Sequence, residues 1–148
     1  MTKNYKLFTV FVMGFMYIFI GIKHFTEPQF FINITPPQVP FKTFAVYFTG
    51  FLEILGGALI LNSKSRQAGG VLLILTLIIV FPANIYLYLC EAPQSLLGVS
   101  KTDALIRMPF QIPLILLAFW HSKENHPKWV VYLSSLAFPP TIIYFLSI

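Results

Sequence analysis

The chain has 148 residues, of which 57% are hydrophobic, 17% aromatic and only 10% charged, with a mean hydropathy of +0.76. Soluble domains carry about 25% charged residues, so this composition excludes a water-soluble enzyme, and it excludes a disordered or nucleic-acid-binding tail. The net charge of +5 comes from ten Lys and Arg scattered singly, the arrangement that sets membrane orientation rather than one that grips phosphates.

Apolar stretches of about 20 residues predict an all-α, polytopic transmembrane helix bundle in a single membrane domain, 1–148. The spans are expected near 7–22, 43–61, 68–90, 104–120 and 129–148. In the first, Gly14, Tyr17, Gly21 and His24 fall on one stripe, so small residues invite a close neighbour and Tyr17 brings a hydroxyl inward. His24 at its outer end reads either as an interfacial hydrogen-bonder or as a ligand. Lys3 and Lys6 precede the span as in a signal peptide, but no small-residue cleavage pattern follows, and the segment is read as retained.

The connection Lys23–Lys42 holds Phe25, Phe30, Phe31, Ile32, Ile34, Pro36, Pro37 and Pro40, and is expected to fold back onto the bundle mouth or lie in the interface. The second span carries Glu53 about 15 Å deep at 1.5 Å per residue, flanked by Gly50 and Gly57 on the same stripe. Carboxylates at that depth are costly and face a bundle interior. Glu53 is then either a protonated structural residue or a proton-handling, ligand-anchoring group.

In the third span, Pro82 removes the donor to the Ile78 carbonyl, and Asn84 either caps that kink or contributes to a binding site beside it. The polar segment Glu91–Asp103 is expected to be mobile. Asp103, Arg107 and Gln111 then share one face of the fourth span, at i, i+4 and i+8 around Pro109. Arg107 either pairs with Asp103 and snorkels, or points inward toward an anion or Glu53. The fifth span holds Pro139-Pro140, with Ser134 and Ser135 placed to satisfy the freed carbonyls as a kinked helix; a re-entrant segment is the alternative.

Cations number six on the side shared by the N-terminus, the 62–67 turn and the 121–128 loop, against three or four on the other. That bias puts the N-terminus in the cytoplasm, with the bacterial inner membrane as the expected location. Ordered by depth, His24 and Arg107 lie near the outer rim, Asn84 and Gln111 lower, and Glu53 near the midplane. With Tyr17 they are expected to line one polar cavity open to the non-cytoplasmic side, while Gly14, Gly21, Gly50, Gly56, Gly57, Pro82 and Pro109 shape the backbone.

Gly21-Ile22-Lys23-His24-Phe25 with Pro28, Phe30, Pro36-Pro37 and Pro40 resembles the first-helix exit of small DoxX-like membrane proteins. Gly50, Glu53–Gly57, Arg66-x-x-Gly69 and Phe81–Ile85 resemble the next two helices of that family, and Arg107–Gln111 the start of the fourth. The resemblance covers roughly residues 14–120. It implies a compact four-helix core to which a fifth C-terminal span is added. Some members of the family are named for a thiosulfate:quinone oxidoreductase or found beside oxidoreductases, and distant relatives act as assembly factors for other membrane proteins.

A single cysteine, Cys90, allows no disulfide or CxxC pair, and no flavin, nucleotide, haem or metal signature is visible. No intrinsic cofactor is therefore expected, though a quinone can be bound. The expected role is an accessory or assembly subunit, or a component binding a small ligand (quinone or lipid). The alternatives are the membrane subunit of a quinone-linked oxidoreductase and a small transporter. The expected partners are the lipid bilayer, a membrane protein and a quinone or lipid, and not nucleic acid.

Overall fold

A computed structural model describes residues 3–147, and the described residues form helices and connecting turns only. They are α1 (Lys3–Thr26), α2 (Pro28–Ile34), α3 (Lys42–Leu61), α4 (Arg66–Leu89), α5 (Glu91–Leu97), α6 (Lys101–Arg107), α7 (Gln111–Ser122) and α8 (Lys128–Ser147). Four segments are long and apolar enough to cross a membrane: α1, α3, α4 and the α6–α7 pair over Lys101–Ser122. The ends of the expected 1–148 domain, residues 1, 2 and 148, lie outside the described residues.

The long helices pack in chain order, α1 on α3, α3 on α4, α4 on α7 and α7 on α8. Glycines set each of the first three contacts. A Cβ on Gly21 would lie 2.7 Å from the Gly50 carbonyl oxygen, and one on Gly57 would lie 2.7 Å from that of Gly14. Gly69 brings α4 against the backbone of Ile60 on α3, and Gly70 brings it against Ser122 on α7. Lipid tails are as apolar as leucine, so close backbone approach rather than hydrophobic exclusion holds such helices together.

One end of the bundle carries the turns 62–65 and 123–127, and there the ring closes. Tyr5 on α1 lies 6.5 Å from the Trp120 ring, Phe8 lies 6.3 Å from Phe138, and Lys6 Nζ donates to the carbonyls of Lys123 and Glu124. At the other end α2 and α5 cover the mouth. Ile34 of α2 is buried with Leu87 and Ala104 in a small second core.

The segment expected to be mobile, Glu91–Asp103, is ordered. Gln94 donates to the carbonyls of Leu87 and Tyr88 at the end of α4 (2.7 and 2.9 Å), Gly98 turns the chain at φ 63°, and Ser100 with Asp103 closes a capping box at the start of α6.

Prolines act differently by context. The fourth span is not one helix: Pro109 and Pro113 are four residues apart, so both missing donors fall on one stripe, and the chain steps through a turn at 108–110. Backbone bonds from Gln111 to Met108 (3.1 Å) and from Ile112 to Pro109 (3.1 Å) carry it across. The face shared by Asp103, Arg107 and Gln111 is broken with it.

Pro82 and Pro139-Pro140 instead sit inside continuous helices. The Ser135 carbonyl freed by Pro139 accepts from Tyr5 Oη of α1 at 3.4 Å. The serines expected to satisfy such carbonyls do not: Ser135 Oγ donates to Val131, and Ser134 Oγ is buried without a partner.

Candidate polar site and lateral groove

A polar contact between α1 and α3 arises because two glycine stripes face one another. Gly50 leaves room for the imidazole of His24 to lie directly over α3, one turn from Glu53. His24 Nδ1 is 3.4 Å from Glu53 Oε2, with both residues buried. The same Nδ1 is 3.0 Å from the Ile20 carbonyl. A carbonyl only accepts, so Nδ1 carries the hydrogen and points it at Ile20. Glu53 Oε2 is left in contact with the imidazole but without a hydrogen bond.

Two further groups complete this pair. Tyr17 sits two turns below His24 on the same stripe, within electrostatic reach of Glu53, and its buried hydroxyl has no partner. Phe31 of α2 stacks on the imidazole at 3.6 Å and 19°, a roof supplied by the fold-back of residues 23–42. Imidazole, carboxyl and phenol within an apolar bundle can share a proton or hold one oxygen-bearing group; as arranged, they pin α1 to α3.

Asn84 and Gln111 lie elsewhere, between α4 and α7. Asn84 Nδ2 donates to Gln111 Oε1 at 3.2 Å, and Gln111 Nε2 donates to the Leu77 carbonyl at 2.6 Å. Asn84 therefore does not cap the Ile78 carbonyl. Gln111 reaches across from the next span to the carbonyl one residue earlier, so the two amides form a tie between helices.

Arg107 forms a third place. It is half-buried, its guanidinium lies 5.7 Å from the Phe30 ring, and it interacts electrostatically with Tyr144. It pairs with neither expected carboxylate. Asp103 turns back to bond the Ser100 amide and hydroxyl (3.2 and 2.5 Å), and the acid–base contacts among the described residues are the Lys23–Glu27 ion pair and the His24–Glu53 contact.

The single polar cavity expected from sequence is thus three separate arrangements. The space lies beside them, in a lateral groove of about 940 Å³ where α1 parts from α6 and α8. Val12, Met16 and Phe19 form one wall, Ile106, Ile142 and Phe145 the other, and Phe30 and Phe31 cover the top. Of the six candidate residues only Arg107 lines it, with Lys23, Glu27 and Asp103 at the same polar end.

His121 was not singled out by the sequence reading. It is fully buried at the opposite end, 3.0 Å through Nε2 from Thr9 Oγ1. Thr9 spends its own hydrogen on the Lys6 carbonyl (2.8 Å), so the imidazole Nε2–H is the donor. The signal was periodicity: Leu114, Leu117, Ala118 and His121 occupy one helical stripe. Among the described residues, no three His, Cys, Asp or Glu are grouped to hold a metal ion.

No curated protein and no solved structure matches the chain. A family match runs over residues 13–122, which include the glycine contacts, the His24–Glu53 contact and the α6 side of the groove but not its α8 wall. On that match the chain belongs to the family described as a domain of unknown function, DUF8561.

Proposed function

We propose that this chain is a polytopic membrane component that binds one small amphiphile, a lipid or a quinone, and works as an accessory subunit of a membrane complex. The observation that carries the reading is the groove between α1, α6 and α8. Its volume of about 940 Å³ falls within the roughly 300–1,000 Å³ of small-molecule sites, which pair apolar walls with a few polar groups.

The reading includes a DoxX-like four-helix core with α8 as a fifth span, since 20 helical residues extend about 30 Å. It also places the N-terminus in the cytoplasm of a bacterial inner membrane. Lys6, Lys64, Arg66, Lys123 and Lys128 gather at the end where the ring closes, against Lys23, Lys42 and Lys101 opposite. Activity of a periplasm-only reporter fused ahead of Lys3 would reverse that orientation.

Native mass spectrometry of the full chain, purified gently from its own membranes, tests the ligand. One retained small molecule per chain is expected, lost when Met16→Trp fills the groove. A stoichiometric partner polypeptide with the small molecule absent would leave the accessory role and remove the ligand.

A second reading, the membrane subunit of a quinone-linked oxidoreductase, draws support from one contact. Phe31 touches both the groove and His24, so the His24–Glu53 pair stands one ring behind the ligand space. Quinone reduction by the partner complex would then fall in Glu53→Gln while quinone binding persists.

A further inference from the structure

The two cations and two carboxylates at the polar end of the groove balance in number but do not pair one to one. Lys23 Nζ lies 3.2 Å from Glu27, so that pair is closed. The Asp103 carboxylate is committed to the cap of α6. Arg107 remains, a planar cation with five donors and, among the described residues, no carboxylate within 4 Å. It stands about 9 Å in from Lys101 at 1.5 Å per residue, where the apolar walls begin.

Below it the groove follows α1 from Lys23 to Val12, about 16 Å at the same rise. This depth lies inside segments long enough to cross a bilayer, so the surrounding solvent there is acyl chain. A guanidinium matches phosphate geometry with paired N–H donors. An apolar trough below a guanidinium that no carboxylate pairs therefore suits the shape and charge of one phospholipid.

From this we infer that the groove holds one bilayer glycerophospholipid, its phosphate on Arg107 and an acyl chain between Met16 and Ile142. This assignment rests on the amphiphile reading above and names its ligand. Met16, Ile142 and Phe145 border the main core, so an acyl chain there would complete the packing of α1 against α8.

Native mass spectrometry titrations of the full chain in a non-ionic detergent test it with four probes. Dioleoyl phosphatidylglycerol carries tails and phosphate, dioleoylglycerol tails alone, glycerol 3-phosphate the phosphate alone, and ubiquinone a neutral head. One phosphatidylglycerol per chain is expected, bound about tenfold more tightly than dioleoylglycerol, the scale of one charge-assisted contact. Glycerol 3-phosphate should show no retained adduct. Arg107→Gln should bring phosphatidylglycerol down to the dioleoylglycerol level without changing dioleoylglycerol, and Arg107→Lys should keep part of the preference.

Met16→Trp, which leaves the cation in place, should weaken both tailed ligands. Equal binding of phosphatidylglycerol and dioleoylglycerol, or a preference that survives Arg107→Gln, would overturn the phosphate assignment while leaving an amphiphile site. Preference for ubiquinone over phosphatidylglycerol would overturn it in favour of a quinone. If neither tailed lipid nor ubiquinone binds, the amphiphile reading itself fails.

Discussion

The two flanks of α1 show how one helix can be sealed on one side and open on the other. Toward α3 it presents Gly14 and Gly21, and backbone meets backbone at both levels. Toward α7 and α8 it presents bulky side chains. Near the N-terminus Tyr5, Phe8 and Thr9 find partners in Trp120, Phe138 and His121, and the ring closes. One to three turns on, Val12, Phe15, Met16 and Phe19 hold the helices apart, and the groove results. Small residues make the seam, and large ones keep the space.

The sharpest way to break this contrast is to put a side chain into the seam. In Gly57→Val, the new Cβ would meet the Gly14 carbonyl, which is backbone and cannot swing away. A loss of about 3 kcal/mol is expected, read as a large drop in thermal stability or in accumulation. Phe15→Ala on the other flank, at a side chain 60% exposed, should cost less than about 0.5 kcal/mol. Comparable losses from the two would dissolve the distinction.

An intermediate effect is expected where polar groups rather than glycines join helices. Gln111→Leu removes the donor to Leu77 and the acceptor for Asn84, and should cost about 1 kcal/mol in denaturant unfolding from detergent micelles. Gln111→Glu should be worse, because its carboxyl would face the Leu77 carbonyl it once served.

The smallest effect concerns the closed end. Burial, then Lys6 and Lys123, hold the His126 imidazole below its usual range, despite bonds to the Trp120 and Lys123 carbonyls. The folded protein thus takes up the proton less readily than the unfolded chain. Its contribution is complete above about pH 6.5 and is lost as pH falls through the lower folded value. The melting temperature should fall slightly below pH 6.5, and His126→Gln should flatten that slope.

Much of the fold was legible because membrane spans are written in long apolar runs, and α3 and α4 begin and end within two residues of expectation. The glycine stripes were legible too, since helical spacing fixes which residues share a face. What sequence concealed were relations between helices. Depth along each span placed five polar groups at compatible levels, but level says nothing of which way around the axis each group faces. Asn84 and Gln111 turn toward one another, Arg107 toward the groove, and His24 toward Glu53. The stacking of Phe31 on His24 depends on how α2 folds back, which no periodicity encodes. The interruption at Pro109 did leave a mark, the second proline four residues later.

That interruption falls in the least apolar of the four segments long enough to cross a membrane. The Lys101–Ser122 segment has a mean hydropathy of 1.4, against 1.8 to 2.4 for the other three spans. It also carries Arg107, six residues after its start. The amide tie between α4 and α7 thus fastens the least apolar of the four segments to the most apolar one.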